Sequence, residues 1–172
     1  MALTLRPPGP HDEAACLAAQ GEFGSFPFLL HWQPGLEWST YLDHLEDLRR
    51  RTRVPEDPIP ENLVPSTFLL AEVDGALVGR VSVRFSLNDF LAARGGHIGY
   101  GVRPAFRRRG YATTILRQAV ALARAEGVGR ILVVCDDDNK GSARVIERCG
   151  GVLEWVVVPE EGATPLRRYW ID

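Results

Sequence analysis

Residues 101–139 read GVRPAFRRRGYATTILRQAVALARAEGVGRILVVCDDDN. From Gly110 onward, Ala112, Ile115, Leu116, Ala119, Leu122 and Ala123 recur at i, i+3, i+4 and i+7 spacing. That is the pattern of a helix buried along one face, and Gly127 is a natural stop for it. ILVVC at 131–135 is an unbroken apolar run, as expected of a strand covered on both faces. Just upstream, HIGYGV at 97–102 reads as another short strand. The unit is therefore strand (97–102), tight loop (103–110), helix (111–126), strand (131–135). Two strands joined by a packed helix are most economically parallel, with a right-handed crossover.

Working outward, TFLLAEV at 67–73 and ALVGRVSVRFSL at 76–87 are strand-like, and Asp74-Gly75 between them is a strong hairpin turn. After the central unit, KGSARVIERCGG at 140–151 reads as a short helix closed by glycines. VLEWVVV at 152–158 and RRYWI at 167–171 are closing strands. At the other end, LTLR at 3–6 is a first strand, and HDEAACLAAQ at 11–20 is a helix with Asp12 as its cap. GEFGSFPFLLHWQPG at 21–35 is an aromatic, glycine- and proline-punctuated loop that is not simply solvated. LEWSTYLDHLEDLRRR at 36–51 is a second helix, and the proline-rich VPEDPIPENLVPS at 54–66 is loop. The expected fold class is α/β (α+β). It is a single mixed, mainly antiparallel twisted sheet of six to seven strands flanked by helices. The whole chain, 1–172, reads as one domain. Residues 1–65 supply the first strand, helices and substrate-side loops, and 66–172 supply the sheet and binding core.

The bulk numbers bound the function. Hydrophobic residues are 45% of the chain and the net charge is −2, so a packed core is expected and a dedicated nucleic-acid binder is not. The three cysteines, Cys16, Cys135 and Cys149, are scattered and form no CxxC pair, which argues against a disulfide scaffold or a metal site. No apolar stretch is long enough to span a bilayer, and MALTLRPPGPHDEAA carries no apolar signal core. A cytoplasmic protein with no metal, no membrane and no nucleic-acid partner is expected.

Arg107, Arg108 and Arg109 run into Gly110 at the start of the long helix. A helix N-terminus leaves its first amides unpaired and carries partial positive charge. Glycine lets another group approach the backbone closely. Together they suit a phosphate or pyrophosphate, and arginines would add charge-assisted bonds. Spacing alone leaves a solvated turn equally open. GxxxxGK[ST] is absent, and GYGVRP at 99–104 ends the start of a GxGxxG in Pro104.

VRPAFRRRGYATTIL resembles the acyl-CoA-binding signature of the GNAT superfamily of N-acyltransferases: Val102, Pro104, Arg107, Gly110 and Ala112 match V-x-P followed by [Q/R]-x-x-G-x-[G/A]. DDDNKGSARVIERCGG resembles the second family motif, with Asn139 and Ser142 at its N-x-x-[S/A] spacing. The resemblance covers about 80–158 and is closest to a poorly characterised bacterial subgroup. It implies acetyl-CoA as co-substrate, lying between splayed fourth and fifth strands. It implies that amides from Arg108 through Gly110, Tyr111 and Ala112 to Thr113 hold the pyrophosphate. Arg107 to Arg109 would supplement them and extend to the 3′-phosphate. Backbone groups of Val102 and Tyr100 would meet the pantetheine arm, with Asn139 on its other side.

Family members transfer the acyl group directly to an amine. The base, the oxyanion donor and the acid for the thiolate must then come from the protein or water. The residue seven after the family Asn is often Tyr; here it is Ile146. The candidate general bases are His97, near neutral pKa, and Tyr100. Cys149 is not read as a nucleophile, since nothing near it in sequence activates it. Phe26, Phe28, His31 and Trp32 are candidates for an acceptor-side wall, with core or dimer contact as the alternative. The acceptor is an amine on a small molecule or peptide, with a homodimer left open. A catalytically weak acyl-CoA-binding or sensing domain is the second reading. A nucleic-acid module built on the arginine runs at 49–53 and 107–109 is the third.

Overall fold

A computed structural model describes residues 2–24, 26–51, 63–158 and 162–172. Strands β1 (Thr4–Arg6), β2 (Ser66–Val73), β3 (Ala76–Arg84) and β4 (Ile98–Val102) form one antiparallel sheet in the order β1-β2-β3-β4. Strands β5 (Ile131–Asp136), β6 (Val152–Val157) and β7 (Leu166–Ile171) form a second, in the order β5-β7-β6. The helices are α1 (Glu13–Glu22), α2 (Trp38–Arg50), α3 (Tyr111–Ala125) and α4 (Lys140–Arg148). A π-type turn at Leu91–Gly95 and a 3-10 turn at Pro104–Phe106 complete the described elements. Most of the proline-rich stretch at 54–66 lies outside the described residues.

The mixed α+β class is the one expected. The sheet is corrected in one respect: it comes in two antiparallel parts, and no parallel ladder joins β4 to β5 among the described residues. The two parts touch at one bridge, Gly96 with Val133, beside a His97 N–H that donates to the Leu132 carbonyl at 2.7 Å. Gly96 has φ +65°, and a Cβ there would lie 2.6 Å from the Leu132 carbonyl oxygen, so only glycine permits this approach. Beyond the bridge the strands separate, as the splay of the family implies.

Alternation along β2 sends Phe68 and Leu70 to one face and Leu69 and Ala71 to the other, all buried. The first pair packs with Trp38, Tyr41 and Leu45 of α2 and with Cys16 and Ala19 of α1. The second packs with Ile115, Leu116 and Ala119 of α3, together with Ile131 and Val133 of β5. Helix α3 thus spans both sheets with the stripe that its periodicity predicts. Each such side chain contributes roughly 1.5–3 kcal/mol on burial. Asp74 (φ +49°) and Gly75 (φ +78°) make the β2–β3 turn, as two left-handed central residues require. Asp12 precedes α1 but does not cap it. Its carboxylate accepts instead from Arg6 and from the Gly9 N–H at 2.6 Å. At the far edge, β6 is exposed on both faces, with Val152, Leu153, Trp155 and Val156 all open to solvent.

Candidate functional site

The gap between β4 and β5 is a cavity of about 890 Å³. Its walls come from β4, from Val134–Asp136 of β5, from the starts of α3 and α4, and from Glu22, Phe23, Gly24 and Phe26. The polarity of each wall follows from local backbone geometry.

The loop before α3 turns through two left-handed residues, Arg108 (φ +61°) and Gly110 (φ +83°). This leaves the backbone N–H groups of Arg108, Arg109, Gly110, Tyr111 and Ala112 without an acceptor among the described residues. A Cβ on Gly110 would meet nothing within 4 Å, so the space in front of these amides is open. Five consecutive unpaired donors at a helix N-terminus form an anion cradle. The three arginines divide. Arg107 and Arg108 line the cavity, and Arg107 Nε also donates to the Val102 carbonyl at 3.0 Å. Arg109 turns away: its Nη2 donates to the Ala105 carbonyl, and its guanidinium lies 5.7 Å from the Phe106 ring centre.

Strand β4 offers its free edge to the cavity. Arg84 N–H donates to the His97 carbonyl and Arg103 N–H to the Val78 carbonyl. Hydrogen-bonded pairs alternate along an antiparallel ladder, so Gly99 and Gly101 bond β3, while Tyr100 and Val102 turn their backbone groups outward. Tyr100 also sends its phenol across the cavity to α4, 2.8 Å from Ser142 Oγ. Burial pushes this phenol well above its ordinary value, partly offset by the Ser142 bond, so it stays protonated at neutral pH. Asn139 Oδ1 accepts from the Ser142 N–H at 3.0 Å, a side-chain cap at the start of α4. Ile146, one turn further on, is fully buried.

Of the predicted site, Tyr100, Val102, Arg107, Arg108, Gly110, Tyr111, Ala112, Thr113, Asn139, Ser142 and Phe26 line one cavity. Arg109, His97, Phe28, His31 and Trp32 do not. Phe28 is fully buried in the core against Phe23, ring centres 5.2 Å apart. His31 packs edge-on against His44, and Trp32 against Trp38 and Tyr41. Phe28 and Trp32 belong to the α2 side of the core, the alternative left open for them, and His31 lies at its exposed rim. His97, a candidate general base, lies outside the cavity's lining. The side chain is buried, and Nδ1 accepts the Leu132 N–H at 2.9 Å. Its basic lone pair is therefore committed to the junction of the two sheets, with the proton on Nε2.

Burial, reinforced by Arg84, lowers the His97 pKa from 6.5, and burial together with His44 does the same for His31. A depressed folded pKa contributes stability that is present above the unfolded value and is lost as pH falls through the folded one. We therefore expect the melting temperature to drop on acidification below about pH 6.5. His97→Asn, which keeps an acceptor near Nδ1, should reduce that drop, as read by thermal scans across pH. His97→Ala should cost about 1–3 kcal/mol by stranding the Leu132 N–H, with turnover per folded molecule nearly unchanged. A normal melting temperature with lost turnover would restore the catalytic role.

Phe23, Glu22, Arg94 and Arg148 also line the cavity and were not singled out from the sequence. The signal for Phe23 lay in the Gly-Tyr-Gly alternation at 99–101. A Cβ on Gly101 would lie 2.8 Å from the Phe23 ring, so the glycine marks a close approach. Among the described residues no group of three or more His, Cys, Asp or Glu could hold a metal ion. Nor is any described helix long and apolar enough to cross a membrane.

The family model of the acetyltransferase (GNAT) family matches residues 31–151. The acetyltransferase YE1169 of Yersinia enterocolitica is 32% identical over 104 residues, 59% of this chain and 70% of that protein. Among solved structures, the microcin C7 self-immunity acetyltransferase MccE, in complex with acetyl-CoA and AMP, has a TM-score of 0.63 at 19% identity. That match covers 98% of this chain and 91% of MccE. The ribosomal L7/L12 α-N-protein acetyltransferase RimL, in complex with coenzyme A, has a TM-score of 0.67 at 16% identity, covering 99% and 93%. The YncA protein of Salmonella typhimurium, a putative acetyltransferase with acetyl-CoA, gives 0.65 at 16% identity, covering 100% and 94%. With the family model covering well over half of its length, the chain belongs to the GNAT family of acetyltransferases.

Proposed function

We propose that the protein transfers an acetyl group from acetyl-CoA to an amine. The observation that carries this reading is the run of five unpaired backbone donors, Arg108 to Ala112, at the mouth of the cavity. Such a run fits a pyrophosphate, and the cavity behind it, between two parted strands, fits an extended arm. Bound acetyl-CoA supplies the thioester that is the acetyl source. The outward N–H and C=O groups of Tyr100 and Val102 orient the arm as an added strand would be oriented. Asn139, held by Ser142, faces them from α4.

As the nitrogen–carbon bond forms and the carbon–sulfur bond breaks, the amine proton leaves to solvent and the sulfur needs one. We assign that proton to the Tyr100 phenol. Its hydroxyl lies 2.8 Å from Ser142 Oγ, one helical turn before Ile146, the position at which family members often carry Tyr. Ser142 Oγ, which lines the cavity, can relay a proton from solvent to the phenolate. This pairing also weighs against the second reading, a binding domain without turnover, which rested on Ile146. Cys149 stays outside the chemistry, since burial raises its thiol pKa. The test is thiol release from acetyl-CoA over a broad amine panel. Release above the no-amine rate supports transfer; acetyl-CoA binding without release on any amine supports the binding domain.

The arginines give a graded prediction. Arg108→Ala should weaken acetyl-CoA by up to about 5-fold, the range of exposed charge pairs, and the loss should shrink at high salt. Arg109→Ala should have less effect, since its guanidinium faces Ala105 and Phe106. Titration with CoA and dephospho-CoA identifies the contact: a loss confined to CoA places Arg108 on the 3′-phosphate, and equal losses place it on the pyrophosphate.

A further inference from the structure

Two arginines on β3 stand without counter-ions beside the cavity. Arg80 is fully buried: its Nη1 donates to the Gly99 carbonyl at 3.0 Å, its Nη2 to the Pro27 carbonyl at 2.8 Å, and its buried Nε to nothing among the described residues. Arg84, four residues along and so on the same strand face, donates from Nη1 to the carbonyls of Gly95 (3.3 Å) and Gly96 (3.1 Å). Neither makes an ion pair with a carboxylate among the described residues. Burial pushes Arg80 down to about 9 and Arg84 to about 10, so both remain cations at neutral pH. Buried charge facing only carbonyl dipoles is unfavourable, and Arg84 lowers the Arg80 pKa further.

The pair lies behind Gly99, which lines the cavity; Arg84 is half-buried there, and Arg80 is sealed beneath it. A Cβ on Gly99 would lie 3.6 Å from Arg84 Nη1 and 3.7 Å from Arg80 Nη1. A side chain there would stand between the cavity and the half-buried Arg84 guanidinium, whereas glycine puts none in the way. The same face of β4 carries Phe23 against Gly101, and the Phe26 ring lies 4.7 Å from the Arg80 guanidinium. This is the face opposite α3, away from the anion cradle. It joins a positive floor to an aromatic wall.

We infer, resting on the acetyl-transfer reading, that the acceptor is an amine that also carries an oxyanion, a carboxylate of α-amino-acid type beside an apolar group, held by Arg84, with the buried Arg80 adding positive charge beneath it. The planar guanidinium fork matches a carboxylate or a phosphate. Polyamines, with cationic charge throughout, meet repulsion on the same floor. A chimera of the spermidine N-acetyltransferase SpeG from Vibrio cholerae and hSSAT shares the fold at 18% identity with a TM-score of 0.63, so the fold alone does not select the acceptor.

The test uses matched probes on the CoA-loaded protein: L-phenylalanine against phenethylamine, O-phosphoethanolamine against ethanolamine, and spermidine. Calorimetry reads binding and thiol release reads turnover on acetyl-CoA. The acidic member of a pair should bind roughly 10-fold or more tighter, the scale of a charge-assisted hydrogen bond. Arg84→Gln should erase that preference, and Arg84→Lys should keep part of it. The pair that shows the larger preference identifies carboxylate or phosphate as the source. The wild-type comparison needs no variant, so a variant that fails to fold does not blunt it. Equal binding within both pairs, no binding of any probe, or a preference for spermidine overturns the inference. Acetylation of spermidine alone does so while leaving acetyl transfer intact. Arg84-dependent binding of L-phenylalanine with no acetylation of any amine does the reverse: the anion site stands and the transferase reading falls.

Discussion

Gly110→Glu should remove the rise in melting temperature that acetyl-CoA gives the wild-type protein. At ligand concentrations of about 100 times Kd that rise corresponds to roughly 2.7 kcal/mol, about 5–11 °C for a chain of this size. A glutamate at 110 would place carboxylate charge in the open space before the five free amides, where the pyrophosphate is proposed to sit. The substitution has a second cost, because Gly110 has φ +83° and an L-residue there loses roughly 1–2 kcal/mol. The unliganded melting temperature should therefore fall by a few degrees. Gly110→Ala carries the same backbone strain without the charge and separates the two effects: it should keep most of the ligand response. A Gly110→Glu protein that acetyl-CoA still stabilises as fully as wild type would sink the assignment of the loop.

The second large effect belongs to Tyr100. Tyr100→Phe keeps the ring and the outward backbone groups of β4 but removes the hydroxyl that meets Ser142. If the phenol protonates the departing sulfur, kcat should fall by roughly 10²–10⁴, with acetyl-CoA affinity nearly unchanged. Ser142→Ala should do less, since the phenol remains. Because burial raises the phenol pKa, no descending limb from Tyr100 is expected in the pH–rate profile below pH 10. Unaltered turnover in Tyr100→Phe would hand the thiolate's proton to water.

Much of this protein is legible in its sequence because local rules agree with tertiary ones. The stripe on α3, the Asp74-Gly75 turn and the apolar β5 each obey one periodicity, and each sits where that periodicity puts it. The glycine before the α3 stripe is legible too, while spacing alone leaves its use open between an anion loop and a solvated turn. The acceptor side was not legible. Phe26 and Phe28 look alike in sequence, two residues apart, yet one lines the cavity and the other is sealed in the core. Irregular backbone between α1 and α2 decides which, and irregular backbone carries no period to read. His97 misleads for another reason. Its residue type suggests proton transfer, but a bond to a backbone amide 35 positions away along the chain fixes its lone pair. Arg80 and Arg84 were passed over inside a strand-like run, where two cations on one face among apolar neighbours were themselves the signal.

The open edge of β6 bears on how the melting measurements above must be run. Val152, Leu153, Trp155 and Val156 lie exposed along a strand with no neighbour on its outer side among the described residues. Such an edge is a template for another chain, most of all once heat has loosened the molecule. Loss of native protein in a scan then includes a second-order, irreversible step, and the observed midpoint moves with heating rate and protein concentration. Ligand shifts and variant shifts are comparable only at one concentration and one heating rate. A lysine placed on β6 should bring scans at different rates into register without touching the cavity.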